Sequence, residues 1–202
     1  IGEQSAVELQ DGSTMTLNTG SRVQVRFTDQ KRELKLLAGE AIFRVQRDAS
    51  RPFTVQSGKA VVQAVGTAFN VYRKMDQTIV SVIDGRVAMM AGPEKVFLDA
   101  SEGIRMSDDG TLGDKSRINI ANVTAWRQRR LVFIDEPLQS IGYELNRYSR
   151  TPTIRVEGAV ARALKYAVIL DADDPESLVA VLAGDPRVMV ERRKEEIVIK
   201  ER

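Results

Sequence analysis

The stretch Ser21-Arg22-Val23-Gln24-Val25-Arg26-Phe27 decides how the first half of this chain is read. Val23, Val25 and Phe27 fall on one face of an extended backbone, and Arg22, Gln24 and Arg26 fall on the other. That period of two belongs to a half-buried strand, not to a helix. Toward the N-terminus it continues through Ala6–Leu9, the turn Asp11-Gly12 and Thr14–Leu17. Toward the C-terminus follow Leu34–Leu37, a turn at Ala38-Gly39, Glu40–Val45, Phe53–Val55, Ala60–Val65, Ala68–Tyr72, Ile79–Ile83, Arg86–Met90, Lys95–Leu98 and Gly103–Met106. Asp84-Gly85 reads as the tight turn of a hairpin, since a type I′ turn needs positive φ. Roughly a dozen short strands with short links predict an all-β, stacked-sheet domain over residues 1–108.

Residues 109–124 are polar and turn-rich and read as a connection. Beyond them the pattern changes. Leu131–Ile134 is a short strand, Asp135 caps, and Pro137 occupies the first turn of a helix. Leu138, Ile141, Leu145 and Tyr148 lie on one face of that helix, which Thr151-Pro152 stops. Thr153–Val156 and Leu164–Leu170 are strands; Asp174 caps and Pro175 opens a second helix that turns Leu178, Val181 and Leu182 inward. Val188–Val190 and Ile197–Ile199 close the chain as a hairpin. Strand, acidic cap, proline, helix and strand thus occur twice, and residues 125–202 are expected to form a small two-layer α+β domain of repeated βαβ units. The fold class is mainly β plus α+β.

Composition removes most catalytic chemistry. The 202 residues contain no histidine and no cysteine, which excludes His-based triads, thiolate nucleophiles, Cys/His metal sites and disulfides. Thirty basic and twenty-eight acidic residues give a net charge of +2. They are spread evenly, so no basic stripe marks a nucleic-acid partner. The longest apolar runs fall far short of the ~20 residues a spanning helix needs, and the N-terminus is not a signal peptide. No cofactor or metal is motivated. Asp171, Asp173 and Asp174 lack the glycine and distant glutamate of a calcium loop.

Five stretches then resemble one family in its own order and spacing. They are Leu9-Gln10-Asp11-Gly12-Ser13 leading to Leu17-Asn18, Leu36 through Val45, Arg51-Pro52-Phe53-Thr54-Val55, Val65-Gly66-Thr67-Ala68-Phe69-Asn70-Val71, and Val82-Ile83-Asp84-Gly85-Arg86-Val87. This is similar to the periplasmic domain of FecR-type anti-sigma regulators. Trp126-Arg127, Leu131-Val132-Phe133, Pro137-Leu138 and Leu145-Asn146-Arg147-Tyr148 resemble the small module at the N-terminus of secretins and TonB-dependent receptors. The resemblance implies a periplasmic sensor whose partner is the N-terminal signalling domain of a TonB-dependent outer-membrane transporter for an iron-siderophore. It also implies a cytoplasmic segment that binds a sigma factor and a transmembrane helix, both outside this sequence.

Candidate residues follow from both lines of reading. The family match makes Gly66-Thr67 a self-cleavage site, at which the threonine hydroxyl attacks the preceding carbonyl; the plainer alternative is a bulge or turn between two strands. For partner binding the candidates are Leu131 and Phe133, Ile154 and Val156, as strands open to edge addition, or the exposed face of the Pro137–Ser149 helix. Arg127, Arg129 and Arg130 form the densest basic run, either docking an acidic surface or lining a solvated edge. Trp126 is placed at the domain junction, and Glu144 with Arg147 reads as a solvated ion pair. The competing functions are a carbohydrate-binding or hydrolytic β-sandwich, opposed by the low aromatic content, and an assembly module of a cell-envelope protein.

Overall fold

The computed structural model describes residues 2–202. They form two compact units, Gln4–Val123 and Thr124–Arg202, and residues 2–3 belong with the second.

In the first unit the strands are β1 (Ser5–Glu8), β2 (Thr14–Leu17), β3 (Arg22–Phe27), β4 (Arg32–Arg44), β5 (Phe53–Ser57), β6 (Ala60–Ala64), β7 (Ala68–Lys74), β8 (Gln77–Asp84), β9 (Arg86–Ala91), β10 (Glu94–Asp99), β11 (Glu102–Ser107) and β12 (Ser116–Arg117), followed by α1 (Ile120–Thr124). The period-two reading is met, with one large change. Leu34–Leu37 and Glu40–Val45 are not separate strands but parts of β4, whose 13 residues serve two layers. Its first half pairs with β3 and, in parallel, with β5; its second half pairs with β2 and β7. The change of layer falls at Gly39, where a Cβ would lie 2.5 Å from the Ser21 backbone. The expected turn is therefore a bend inside one strand.

The hairpin expected at Asp84-Gly85 is also corrected. β8 pairs with β7 and β11, whereas β9 pairs with β6 and β10. The Asp84-Gly85 turn thus carries the chain from one layer to the other. Local turn chemistry specified the tight reversal of φ, but not which strand would lie alongside. Between the layers sit Leu36, Phe43, Phe53, Val62, Phe69, Val80, Val82, Met89 and Leu98, all almost fully buried. Phe27, Phe53, Phe43 and Phe69 form a run of rings in which neighbours are 5.4–6.2 Å apart.

One charged pair lies inside this unit. The Arg32 side chain is 0% exposed and its Nη1 is 2.6 Å from Asp11, itself 4% exposed. Arg32 also donates to the carbonyls of Gln46, Asp48 and Arg51 and lies over the Phe53 ring. It pins the crossover between β4 and β5, whose own carbonyls would otherwise be short of donors.

The second unit contains a short 3-10 turn (Ala125–Gln128), β13 (Arg130–Pro137), α2 (Leu138–Tyr148), β14 (Thr153–Glu157), α3 (Ala159–Ala163), β15 (Lys165–Asp171), α4 (Glu176–Leu182), β16 (Val188–Arg192) and β17 (Glu196–Glu201). The repeated units are present, but their strands interleave. β13 pairs antiparallel with β15 in a two-stranded ribbon, while β14, β17 and β16 form a separate three-stranded sheet. The two strands of each repeat therefore lie in different sheets. Leu138, Ile141, Leu145 and Tyr148 line the buried face of α2 as expected.

Three local expectations fail. Asp135 does not cap: it has φ +51 within an irregularity of β13 and pairs with Lys165, and Pro137 still belongs to the strand. Continued pairing with β15 out to Lys165 outweighs helix initiation there. In α4, Val179 is buried and Val181 is exposed. Asp174 does accept the Glu176 N–H, as a helix start requires. Finally, α3 was not anticipated, because five residues are too few to show a period.

Candidate functional site

Two places merit description, one in each unit. The first is the corner between β6 and β7. β6 belongs to one layer and β7 to the other, so Val65-Gly66-Thr67 must cross between them. Gly66 has φ +117, a conformation that side chains rarely adopt, and a Cβ there would come within 3.1 Å of the Arg47 backbone. The turn reading of Gly66 is therefore correct as far as it goes. Thr67 is 8% exposed and its carbonyl accepts the Val45 N–H at 2.8 Å. Its hydroxyl, however, is buried and has no hydrogen-bond partner among the described residues. A buried hydroxyl left this way costs about 1–3 kcal/mol and calls for a reason. The turn from β8 to β9 crosses between the same layers, because β6 pairs with β9 and β7 with β8. The two crossings thus lie side by side, and Gly85 rests against the Thr67 side chain.

The second place is the ribbon of β13 and β15. Leu131, Phe133 and Leu170 face inward and are buried. Alternation then puts Val132 and Ile134 of β13, and Ala167 and Ile169 of β15, on the other face. Ile134 is 68% exposed and Ile169 53% exposed. Among the described residues neither strand has a second strand neighbour. Ala172 N–H donates to the Arg129 carbonyl, and antiparallel alternation from that bond turns the backbone N–H and C=O of Val132 and Ile169 outward.

The side chains of Leu131, Phe133, Ile154 and Val156 all belong to the core of this unit. None of the four offers an apolar surface. The β14 edge is not open either. Asn146 of α2 clamps Ile154, donating to its carbonyl and accepting its N–H at 2.7 Å each, and Arg162 donates to the Val156 carbonyl. A side-chain amide here does the work of a neighbouring strand. Arg129 is likewise engaged: it pairs with Asp173, donates to the Gly2 carbonyl and lies over the Tyr148 ring. Arg127 and Arg130 are exposed and have no ion-pair partner among the described residues. Trp126 is buried in the 3-10 turn that packs on β13. Glu144 and Arg147 do pair, at 2.8 Å, but their side chains are only 8% and 12% exposed, so the pair is shielded rather than solvated. Sequence reasoning missed Ile134 and Ile169 as exposed groups, although the alternation of Leu131-Val132-Phe133-Ile134 held that signal. It also missed Arg32, whose partners lie 14–21 residues away, and Asn146, whose partner Ile154 is only eight residues on but lies on the next strand.

No group of residues that could hold a metal ion occurs among the described residues, and no helix there is long and apolar enough to cross a membrane. Residues 1–88, which include the Gly66-Thr67 corner, match the family model described as FecR protein. Residues 1–88 are of the FecR type. Two crystal structures of a candidate anti-sigma factor from Parabacteroides distasonis ATCC 8503, at 1.65 and 2.50 Å resolution, are similar to this chain over its whole length. Each has a TM-score of 0.88 and 27% identity, covering 100% of this chain and 96% or 95% of the other. No curated protein matches it.

Proposed function

We propose that this FecR-type chain is the periplasmic sensing region of a membrane-anchored anti-sigma factor, and that its second unit receives the signalling domain of a TonB-dependent siderophore transporter. The regulatory anti-sigma role is supported by the family match and by the relatives of like structure. The observation that carries the docking reading is the ribbon. A two-stranded sheet with an apolar outer face and outward backbone groups is a template for strand addition. The exposed Arg127 and Arg130 beside it favour a partner strand flanked by acidic residues.

Calorimetry of this chain with the signalling domain encoded beside it tests the reading. Ile134→Lys with Ile169→Lys should weaken binding at least ~10-fold while leaving stability within about 0.5 kcal/mol, since both side chains are exposed. Unchanged affinity would remove the ribbon as the docking surface. No binding by the wild-type chain would remove the partner.

The unpartnered Thr67 hydroxyl supports a second activity, cleavage of the chain's own Gly66-Thr67 bond. The Oγ attacks the Gly66 carbonyl carbon, the C–N bond breaks as the nitrogen takes up a proton, and the chain is joined by an ester. Water then hydrolyses the ester, leaving a Gly66 carboxylate and a Thr67 amino terminus with its hydroxyl restored. The β4–β7 and β6–β9 ladders would still join the fragments, so one species is expected on native sizing and two on a denaturing gel. A single intact band would reject cleavage.

A further inference from the structure

We infer that Gly85 is a positioning residue for the Thr67 hydroxyl; the inference rests on the cleavage reading above. A Cβ built on Gly85 would meet the Thr67 methyl carbon at 2.8 Å, Thr67 Cβ at 3.3 Å and Thr67 Cα at 3.5 Å. The bare Cα of Gly85 is therefore the wall against which that methyl packs. Threonine is branched at Cβ, so its methyl and hydroxyl turn together about one stiff torsion. Where the methyl is lodged decides where the hydroxyl points. No hydrogen bond holds that hydroxyl, so van der Waals contact is what orients it. On the other side of the bond to be cut, Gly66 is held at φ +117 against Arg47. Nucleophile and carbonyl are each set by packing, against different segments of the chain. A side chain at position 85 would push the methyl out of its slot and rotate the hydroxyl with it. Misplacement of a reacting atom by about 1 Å can cost ~100-fold in rate.

The plainer role for Gly85 is to permit its own φ of +80 in the turn between layers. A pair of variants separates the two. Gly85→Ala carries both the backbone strain and the clash with the methyl. Gly85→Ala with Thr67→Ser carries the same strain, but serine keeps the nucleophile and lacks the methyl. The cleaved fraction of freshly folded protein is followed on denaturing gels, with circular dichroism as the check on folding. Thr67→Ser alone should cleave more slowly than wild type, because its hydroxyl loses the methyl that orients it; Gly85→Ala should cleave ~100-fold more slowly than wild type, and the double variant should match Thr67→Ser rather than Gly85→Ala. Should Gly85→Ala fail to fold, Gly85→Asn serves in its place, because asparagine has the same Cβ and tolerates positive φ.

Cleavage of Gly85→Ala at the wild-type rate would overturn the role of Gly85. So would a folded double variant as slow as Gly85→Ala while Thr67→Ser cleaves. An intact wild-type chain would instead overturn the cleavage reading itself, and Gly85 with it.

Discussion

Arg32 and Arg129 each tie together segments distant in sequence, and they do so in opposite surroundings. Arg32 is wholly enclosed with Asp11, three carbonyls and the Phe53 ring. Arg129 is 35% exposed, its partner Asp173 is 50% exposed, and the carbonyl it holds is that of Gly2 at the chain start. The same contrast runs through the two units. The first unit encloses its polar groups between two layers that share β4. The second closes one strand edge with the Asn146 amide and leaves a ribbon uncovered. A buried cation cannot exchange its partners for water, so it fixes one arrangement of the loops around it; an exposed one is replaceable. The first unit is built as a scaffold, and the second keeps backbone and apolar surface available.

The arginines offer the sharpest way to break this comparison. Arg32→Ala strands Asp11 and three carbonyls, and should lower the unfolding free energy of the first unit by about 3–5 kcal/mol. Arg129→Ala should cost the second unit less than about 1 kcal/mol. Denaturant titrations of both variants read the difference, and equal losses would dissolve the distinction. The strand edges come next. Asn146→Ala leaves the Ile154 N–H and C=O without their partner and should cost about 1–3 kcal/mol, with amide exchange at Ile154 accelerating. Exchange at Ile154 no faster than in wild type would mean that this edge never needed its clamp.

Acid gives the smallest effect and tests enclosure alone. Burial raises the Asp11 carboxyl, but Ser13 and then Arg32 more than compensate and hold it below the ordinary value of 3.8. A carboxyl lowered on folding contributes stability above its unfolded pKa, near 4, and that contribution disappears as the pH falls through the lowered folded value. In the second unit Glu191 is held down to about 2 by hydrogen bonds from Arg193 and Lys200, so its contribution fades over the same acid range. Its pairs lie at the surface, however, and ~1 M salt should blunt their share while leaving that of Asp11 nearly unchanged. Asp11→Asn should flatten the acid limb of the first unit, as followed by fluorescence or circular dichroism between pH 5 and pH 2.

How much of this could be read beforehand depends on the range over which each interaction acts. Alternation in Ser21–Phe27 and Ala60–Val65, and the helical spacing of Leu138, Ile141, Leu145 and Tyr148, are local, and the strands and helix follow from them. The Asp84-Gly85 turn was legible as a turn but not as a crossing between layers, because the choice between β9 and β11 beside β8 is made by packing along the whole strand. Gly66-Thr67 was legible as a candidate cleavage site through its likeness to a family. The lost hydroxyl partner and the contact with Gly85 were not, since they arise only when two crossings are brought together.

The sequence by itself determined the mainly β character, the change of pattern near residue 125, the FecR resemblance and the exclusion of histidine and cysteine chemistry. The resemblance rests on five motifs in the family's order, and the rest follows from residue type and from periods of two and 3.6, which need no knowledge of neighbours. Tertiary structure alone decided that β4 serves two layers, that the repeats interleave, that Ile154 is clamped while Ile134 and Ile169 face outward, and that Gly85 lies against Thr67. Each of these depends on which distant backbone comes to lie alongside. That choice is settled by the burial of the whole core at once, not by any short stretch of chain.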